Sequence, residues 1–487
     1  MILLGETTMM NLNQRPWSWL CRLMAFGSGL GLLSCSEGEA PIEVSLGEVW
    51  SPGIVYTSEQ PPVRDLVDVR GLIHAHSVYS HDACDGDPVV DGENDRTCMD
   101  DFRAGLCASG HDFVMLTDHA ERFEDIDFPD VLLYEEAKGD TLVFRELGGV
   151  QSPVANRLMC PDGRTPLIVA GSESGFMPVG LERHVEVDGA RAYGGAHQNE
   201  IGAEAIHAAG GRVLLAHPED YFVSDLIAMP VDGFEMFNLH RNTLLNAGTV
   251  LDVLFRIDGG DEGLIHPDLI VGMIFSEDPD YLERWGRVLA AGKSIVTTMG
   301  TDCHRNTFTA QLQDGERVDS YRRMMSAFSN HLLVELDEEG RFDDRDLIAA
   351  LDARRVFGVF EYLGHPVGFD VQALGPNGES FELGAEFPVG STMRVTMPQL
   401  RGLDPAARSP ELTLRILRAV DSSEGWELVA ETQATKLEAV ITEAGAYRAE
   451  VRMVPYHLET FMRDDADDLL DTGRDFVWIY ANAMRAR

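Results

Sequence analysis

The sequence predicts a mixed α/β protein, in which an α/β domain built on a parallel sheet is followed by a domain of β-strands. Short apolar runs recur between residues 68 and 305, as expected for strands buried on both faces: 69–73, 113–117, 167–170, 212–216, 233–237 and 294–298. Segments of helical composition lie between or after these runs, at 201–209, 281–291 and 343–355. Beyond residue 368 the segments alternate or are β-rich, with turn residues between them, which is typical of a β-sandwich.

These patterns divide the chain into four predicted parts: a targeting segment (1–35), a linker (36–66), an α/β domain (67–368) and a β-sandwich domain (369–487). The length of 487 residues is sufficient for two or three domains with cores of their own. The formal net charge is −42, from 81 acidic and 39 basic residues. A surface this negative repels the phosphate backbone of nucleic acids, so we expect no nucleic-acid partner; adaptation to high salt is an alternative cause of the acidity.

The first 35 residues have the features of an export signal. Arg15 and Arg22 supply positive charge, and residues 23–34 are apolar or small. This stretch is shorter than the roughly 20 apolar residues that span a bilayer. It ends in Leu-Leu-Ser before Cys35, which resembles a bacterial lipobox. We therefore predict an exported protein that a lipid on Cys35 anchors at the periplasmic face of a bacterial membrane or at the cell surface. An ordinary signal peptide cut nearby is the alternative.

Five cysteines follow Cys35, and an oxidising compartment allows them to pair. Because five is an odd number, at least one thiol stays unpaired. We assign this role to Cys303, which lies inside a candidate metal motif. The other four allow two disulfides in three possible connectivities, and the sequence does not choose among them: Cys84, Cys98, Cys107 and Cys160. No Cys-x-x-Cys pair exists, which argues against a thiolate zinc site.

Histidines and carboxylates follow the predicted strands at the positions where these strands end. His74 and His76 follow the run 69–73, and residues two apart in a strand share a face, so both imidazoles can reach one ion. The carboxyl ends of barrel strands hold the active site in α/β barrels. The other members of this set at or near strand ends are Asp82, His119, Glu173, His184, His217, Asp302 and His304.

Over about residues 68–360, these motifs resemble the polymerase and histidinol phosphatase (PHP) superfamily of metal-dependent hydrolases. The resemblance implies a distorted (β/α)7 TIM-like barrel with up to three metal ions. One ion would take His74, His76, Glu173 and Asp302. A second would take His184 and His217, with Glu173 as a bridge. A third would take Asp82, His119 and His304. Segments 445–451 and 477–482 are similar to the β-domain of the carbaryl-hydrolase-like branch of this superfamily.

The predicted ligands are imidazoles and carboxylates without thiolates, a set that suits two or three Zn²⁺, Mn²⁺ or Fe²⁺ ions. The positive charge of three such ions would exceed the negative charge of three carboxylates. The cluster would therefore attract a phosphate or a developing oxyanion. A bound ion lowers the pKa of its water and so provides a nucleophile near neutral pH. We expect Glu173, His217 and Asp302 to be essential for catalysis.

Several polar residues next to these motifs are candidates for substrate binding. Arg183, Arg241 and Arg305 flank ligand motifs and would clamp an anion, or else pair with one of the many carboxylates. Asn238, with its neighbours Glu235 and His240, follows the run 233–237. These three line the pocket or orient the ligands, or they cap the end of the strand.

The function that the sequence predicts is an exported, metal-dependent hydrolase of a small phosphomonoester or phosphodiester. The alternative is a hydrolase of carboxylic esters, amides or carbamates that uses the same ions. A surface binding protein with a structural metal site is a third hypothesis, and the complete ligand set argues against it.

Overall fold

The structure of this protein is a computed structural model that describes residues 54–258, 266–461 and 473–487. The described residues all belong to one compact unit, Val49–Arg487. The predicted targeting segment with Cys35, and the linker up to residue 53, lie outside the described residues. None of the described helices combines the length and the apolar character that a membrane crossing requires.

The strands of the N-terminal part are β1 (Val67–Ala75), β2 (Val89–Val90), β3 (Glu93–Asn94), β4 (Phe113–Met115), β5 (Thr141–Leu147), β6 (Val150–Arg157), β7 (Leu167–Gly171), β8 (Met177–Leu181), β9 (Glu186–Val187), β10 (Ala190–Arg191), β11 (Arg212–Leu214), β12 (Gly233–Asn238), β13 (Val296–Cys303), β14 (Ser329–Val334) and β15 (Val356–Val359). The helices are α1 (Arg96–Ser109), α2 (Ala120–Phe123), α3 (Glu200–Ala208), α4 (Val223–Ala228), α5 (Leu239–Leu245), α6 (Ala247–Asp258), α7 (Ile270–Met273), α8 (Pro279–Ala290), α9 (Tyr321–Met325) and α10 (Asp344–Asp352).

The strands of the C-terminal part are β16 (Pro366–Val367), β17 (Asp370–Leu374), β18 (Ser380–Glu382), β19 (Glu386–Phe387), β20 (Thr392–Thr396), β21 (Gln399–Leu400), β22 (Glu411–Ala419), β23 (Trp426–Thr432), β24 (Lys436–Val440), β25 (Gly445–Val454), β26 (Phe476–Ala481) and β27 (Met484–Ala486). The chain is therefore a mixed α/β protein, and the α-helices of the described residues lie in the N-terminal part.

Six strands of the N-terminal part run in one direction. β1 pairs in parallel with β4 and β13, β4 with β7, and β12 with β13. β8 is antiparallel to both β7 and β11, so β11 runs with β7 and β8 runs against them. Two backbone hydrogen bonds, Asp232 N to Val213 O and Glu235 N to Leu215 O, join β11 to β12. No strand ladder of the described residues closes the sheet there, so the barrel stays a prediction.

The central strands are buried on both faces, as their continuous apolar runs predict. Every residue of β4, β7, β12 and β13 is buried. Helix α8 shows how the sheet is covered: Asp278 caps its first turn through Asp280 N and Tyr281 N, and the apolar face buries Trp285 and Val288. β12 and β13 also bury polar side chains that an apolar core would exclude, and these mark the functional edge of the sheet: Glu235, Asn238, Thr297, Thr298, Thr301 and Asp302.

In the C-terminal part, two antiparallel sheets bury their apolar residues in one hydrophobic cluster. One sheet has the order β18-β17-β20-β24, and the other includes β23, β22, β25 and β26. β26 also pairs with β15, through Phe357 and Ala481 among others. The larger sheet therefore continues across the predicted domain boundary at residues 368 and 369.

Two disulfides settle the cysteine pairing that the sequence left open. They join Cys84 to Cys98 and Cys107 to Cys160. Cys303 is buried and unpaired, as predicted, and burial raises the pKa of its thiol to about 12. This residue is therefore a neutral thiol at physiological pH.

A buried ionic cluster lies toward the amino end of β1. Arg70 donates to both carboxylate oxygens of Glu361, at 2.8 and 2.6 Å. His331 on the neighbouring strand β14 lies 2.8 Å from Asp68, Nδ1 to Oδ1. Burial by itself lowers the pKa of His331, but the Asp68 and Glu361 carboxylates outweigh this effect and raise the pKa to about 9.

Candidate metal centre

The carboxyl ends of the parallel strands bring together every predicted ligand except His184. His74 and His76 come from the end of β1, His119 follows β4, and Glu173 follows β7. His217 follows β11, while Asp302 and His304 come from the end of β13. Asp82 arrives on the loop after β1. Because these strands share one direction, residues distant in sequence meet at one edge of the sheet.

Four side chains form the deepest part of this cluster. The Nε2 atoms of His74 and His76 lie 3.1 Å apart. Glu173 Oε2 lies 3.4 Å from each of these nitrogens. Asp302 Oδ1 lies 3.2 Å from His74 Nε2 and 3.3 Å from His76 Nε2. Two nitrogens and two oxygens thus surround one point, a set that fits a divalent transition metal.

A second group lies on the Asp82 side of His76. Asp82 Oδ2 is 3.6 Å from His119 Nε2, and Asp82 Oδ1 is 3.5 Å from His304 Nε2. The rings of His76 and His304 stack at 3.8 Å. Burial lowers the pKa of His304 to about 3, whereas Asp82 and Glu173 outweigh burial at His119 and raise its pKa to about 9. His304 is therefore neutral, whereas an ion that binds His119 would have to displace its proton.

Glu173 and Asp302 also face a third group, through their other oxygens. His217 Nε2 lies 3.4 Å from Glu173 Oε1 and 3.4 Å from Asp302 Oδ2. His240 Nδ1 lies 3.1 Å from the same Asp302 Oδ2. The side chains of His217 and His240 are 29% and 31% exposed, while His74 and His76 are fully buried. This side of the cluster is thus open to solvent.

Outer hydrogen bonds orient the histidine rings. Glu235 Oε1 accepts from His74 Nδ1 at 2.6 Å, and Ser80 Oγ lies 3.1 Å from His76 Nδ1. Glu219 Oε1 lies 3.4 Å from His217 Nδ1. Because each Nδ1 has an oxygen partner, each Nε2 is directed at the carboxylates of the cluster, as in metal sites whose ligands are oriented by an outer shell.

Sequence reasoning missed two of these orienting residues. Glu219 comes two residues after His217, and Ser80 comes two residues before Asp82. Ser80 also donates to Asp82 Oδ1 at 3.1 Å and accepts from His119 N at 3.2 Å, so it joins three ligands. Proximity to a ligand motif was the available signal, but it does not distinguish these residues from other polar neighbours.

The backbone is strained at three of the ligands. His74, His217 and Asp302 have φ values of 77°, 52° and 51°, in the left-handed region that non-glycine residues rarely adopt. Such strain is concentrated at functional sites, where the surrounding structure maintains it. Gly300 contributes by its lack of a side chain, because a Cβ there would lie 1.9 Å from Glu235 Oε1 and 3.0 Å from His74 Nδ1.

The charge of the cluster fits bound cations. Burial lowers the pKa of His74, but Glu235, Asp302 and Glu173 outweigh it, and this pKa lies well above its ordinary value. Burial raises the pKa values of Glu173 and Asp302, but the histidines hold both well below their usual range. Within the described residues, Asp302 Oδ1 and His304 Nε2 are buried without a hydrogen-bond partner. Divalent ions would satisfy these atoms.

His184 is not brought to the cluster, which corrects the ligand set implied by the resemblance. Its Nε2 donates to Ile126 O at 2.7 Å, and its Nδ1 accepts from Tyr193 Oη at 2.9 Å. Burial lowers its pKa, in keeping with a neutral ring. The cause is the direction of β8, which is antiparallel to β7 and β11. The carboxyl end of β8 therefore lies beside the amino end of β11, away from His217.

The candidate substrate-binding residues have other partners in the structure. Arg183, which also follows the reversed strand β8, donates to Ala208 O at the end of α3. Arg305 pairs with Asp101 at 2.8 Å. These contacts correspond to the ion-pair and structural alternatives and do not support an anion clamp at either residue.

Arg241 and Asn238 lie closer to the ligands. Arg241 Nε is 3.2 Å from Asp278 Oδ2 and 4.0 Å from Glu219 Oε1, which itself faces His217. Asn238 donates to Glu235 Oε2 at 3.0 Å and accepts from Arg241 N as the cap of α5. Asn238 thus both supports the carboxylate behind His74 and caps a helix.

Comparison with known proteins gave one similar solved structure and no matching family model or curated protein. The solved structure is described as a two-domain protein containing a predicted PHP-like metal-dependent phosphoesterase, from Bacteroides vulgatus. It shares 13% sequence identity, covers 86% of this chain and 96% of its own, and superposes with a TM-score of 0.29. A similarity at this level establishes neither the fold nor the function of this chain.

Proposed function

We propose that this protein is a metal-dependent hydrolase of the PHP type that cleaves small phosphoesters. The observation that carries the proposal is the convergence of histidine Nε2 atoms on Glu173 and Asp302, whose paired oxygens face different groups of histidines. Two or three Zn²⁺, Mn²⁺ or Fe²⁺ ions are the proposed cofactors. Export and lipid anchoring through Cys35 are part of the proposal.

The ions would be held by His74 and His76 at the buried position, by Asp82, His119 and His304 on one side, and by His217 on the other, with Glu173 and Asp302 between them. Bound divalent ions would activate a water molecule as nucleophile and polarise the ester oxygen of the substrate. The residues of this chain set where that chemistry takes place. His74 and His76 are sealed from solvent, whereas the partial exposure of Asp82, His119 and His217 leaves an approach for the substrate.

The protein also fixes the protonation of its ligands. Glu235 accepts a hydrogen bond from His74 Nδ1, and Glu219 faces His217 Nδ1, so each Nδ1 keeps its proton and Nε2 is the nitrogen that would bind an ion. Glu173 and Asp302 are held ionised by the histidines around them. Replacement of Glu173, His217 or Asp302 by alanine would therefore remove part of the ion site, and we expect each variant to lose turnover.

One observation favours a second candidate, the hydrolysis of a carboxylic ester, amide or carbamate. Glu235 and Glu219 place two further carboxylates beside the ligand set, and the structure pairs Arg241 with acidic residues. The surplus of positive charge around bound ions is therefore smaller than the sequence predicts. A less charged substrate would fit this balance better than a phosphomonoester dianion.

The test uses the purified protein, stripped of metal and then loaded with Mn²⁺, Zn²⁺ or Fe²⁺. Turnover of p-nitrophenyl phosphate or bis-p-nitrophenyl phosphate supports the phosphoester assignment, and turnover of aryl acetates or naphthyl carbamates alone supports the second candidate. His74→Ala should abolish activity. His207→Ala is the matched control, because this partly exposed histidine pairs with Asp232. Failure to bind any of these metals would refute both candidates and favour a binding protein.

Export has a separate test. The full chain and a Cys35→Ala variant, expressed in a bacterium with radiolabelled palmitate, should differ in label and in membrane fractionation. Label on both forms, or on neither, would contradict a lipid on Cys35.

A further inference from the structure

The His217 side of the cluster lacks the second imidazole that the resemblance assigns to it, because both ring nitrogens of His184 are hydrogen-bonded elsewhere, to Ile126 O and to Tyr193 Oη. A position with His217 alone would offer an ion one nitrogen and the two bridging carboxylates. Transition-metal sites in proteins usually have at least three protein ligands and favour imidazole. A second imidazole near Asp302 Oδ2 would therefore give this position the nitrogen ligands that such ions favour.

His240 occupies the expected place. It lies in the first turn of α5, directly after β12, a strand parallel to β13. Its Nδ1 is 3.1 Å from Asp302 Oδ2, the oxygen that also lies 3.4 Å from His217 Nε2. The cap of the helix holds this turn, since Asn238 accepts from Arg241 N and donates to Glu235. The same capping residue thus connects His240's turn to the carboxylate behind His74.

The two bridging carboxylates divide their oxygens in a consistent way. Asp302 Oδ1 and Glu173 Oε2 face His74 and His76, at 3.2 to 3.4 Å. Asp302 Oδ2 and Glu173 Oε1 face His217, at 3.4 Å each. A carboxylate that presents one oxygen to each of two nitrogen groups is arranged to bridge two cations.

We propose that His240 and His217 are the nitrogen ligands of a second cation position, which Glu173 and Asp302 bridge to the position at His74 and His76. This inference rests on the proposed function, since it needs a metal-binding cluster. It assigns to His240 the place that the resemblance gives to His184. Because His217 and His240 are partly exposed, this second cation would lie on a side of the cluster that the substrate can approach.

The experiment measures metal binding rather than turnover. Wild-type protein, His240→Ala and His184→Ala are stripped with a chelator, titrated with Co²⁺ and followed by the visible absorption of the ion. Equilibrium dialysis and elemental analysis then give the number of ions per chain. Circular dichroism and thermal melting establish that each variant is folded.

We expect His240→Ala to lose one of the ions that the wild-type protein holds, with a weakening of that site by ~100-fold or more, beyond the effect of losing an outer hydrogen bond. The wild-type absorption of the second Co²⁺ should also disappear. His184→Ala should keep the wild-type number of ions and their spectrum, even if its melting temperature falls, because its contacts are with Ile126 and Tyr193.

A His240→Asn variant separates a ligand from a hydrogen-bond donor, since the amide can donate to Asp302 but binds metal poorly. Restoration of the second ion by asparagine would overturn the proposal, as would an unchanged ion count in His240→Ala or loss of the ion in His184→Ala. If the wild-type protein itself binds no ion, the proposed function fails first. If it binds two or more and His240→Ala binds as many, only the inference about His240 fails.

Discussion

Replacement of Glu235 by glutamine tests whether this buried carboxylate controls the metal site through His74. Glu235 is fully buried. Its Oε1 accepts from His74 Nδ1 at 2.6 Å, and its Oε2 accepts from Asn238 Nδ2 at 3.0 Å and from His217 N at 3.4 Å. A glutamine has nearly the same shape, but one of its two terminal atoms is a donor.

Neither orientation of the glutamine amide satisfies all these partners. If its oxygen faces His74, its NH₂ group meets two donors, Asn238 Nδ2 and His217 N. If the amide turns over, its NH₂ group meets the Nδ1–H of His74. Asn238 cannot rotate to compensate, because its oxygen accepts from Arg241 N at the cap of α5. A buried donor left unsatisfied costs about 1–3 kcal/mol, and every 1.4 kcal/mol corresponds to roughly a tenfold change in affinity.

We therefore expect Glu235→Gln to weaken the ion at the His74 position by roughly 10–100-fold, the range found when an outer partner of a ligand is lost. Competition with a chromophoric chelator at pH 7.5 measures this change for wild-type protein, Glu235→Gln and the exposed-surface control Glu186→Gln. An affinity within about twofold of the wild-type value would refute the reasoning, since the geometry leaves no neutral arrangement for the amide.

Three other predictions concern the support of the site and of the fold. Gly300→Ala should weaken metal binding and lower the melting temperature, because its Cβ would overlap the outer carboxylate at 1.9 Å. Removal of the Cys84–Cys98 disulfide by serine substitution should weaken the ion at Asp82 as well as stability, since Cys84 N donates to His304 O. Stability measured by urea unfolding should fall as pH rises from 6.5 through about 9, because protonated His331 stabilises the folded state. The contribution of His331 to the free energy of unfolding is complete below pH 6.5 and amounts to roughly 3 kcal/mol.

Each of these has a matched control. Gly248→Ala should be tolerated, because a Cβ there has no atom within 4 Å. Removal of the Cys107–Cys160 disulfide should lower stability by about 2–4 kcal/mol but leave metal affinity unchanged; equal loss of affinity in both disulfide variants would contradict a local effect. His331→Gln should abolish the difference in stability between pH 6.5 and 9 that this residue causes, and an identical pH profile in both proteins would show that another group is responsible.

The positions of most candidate ligands were predictable from the sequence for a physical reason. A buried parallel strand is a short apolar run, and the residues after such runs lie at one edge of the sheet. His74, His119, Glu173, His217 and Asp302 follow this rule, and the structure brings them together. One unpaired cysteine was also predictable, because five cysteines cannot all pair, and the place of Cys303 inside a candidate metal motif indicated which one.

The direction of β8 was not predictable, and it decided the position of His184. The alternation and apolar character of a strand are the same whether it runs parallel or antiparallel to its neighbours. Only pairing with β7 and β11 shows that β8 is reversed, so that its carboxyl end lies beside the amino end of β11. The same applies to Arg183, which the structure pairs with the end of α3.

The sequence by itself thus determined which residue types end the parallel strands, and therefore that a cluster of imidazoles and carboxylates exists. The tertiary structure alone decided which oxygen faces which ring, that Glu235 lies behind His74, and that His240 stands beside Asp302. The reason is that local patterns encode burial and strand ends, whereas contacts between residues 62 or 161 positions apart depend on how the strands pack.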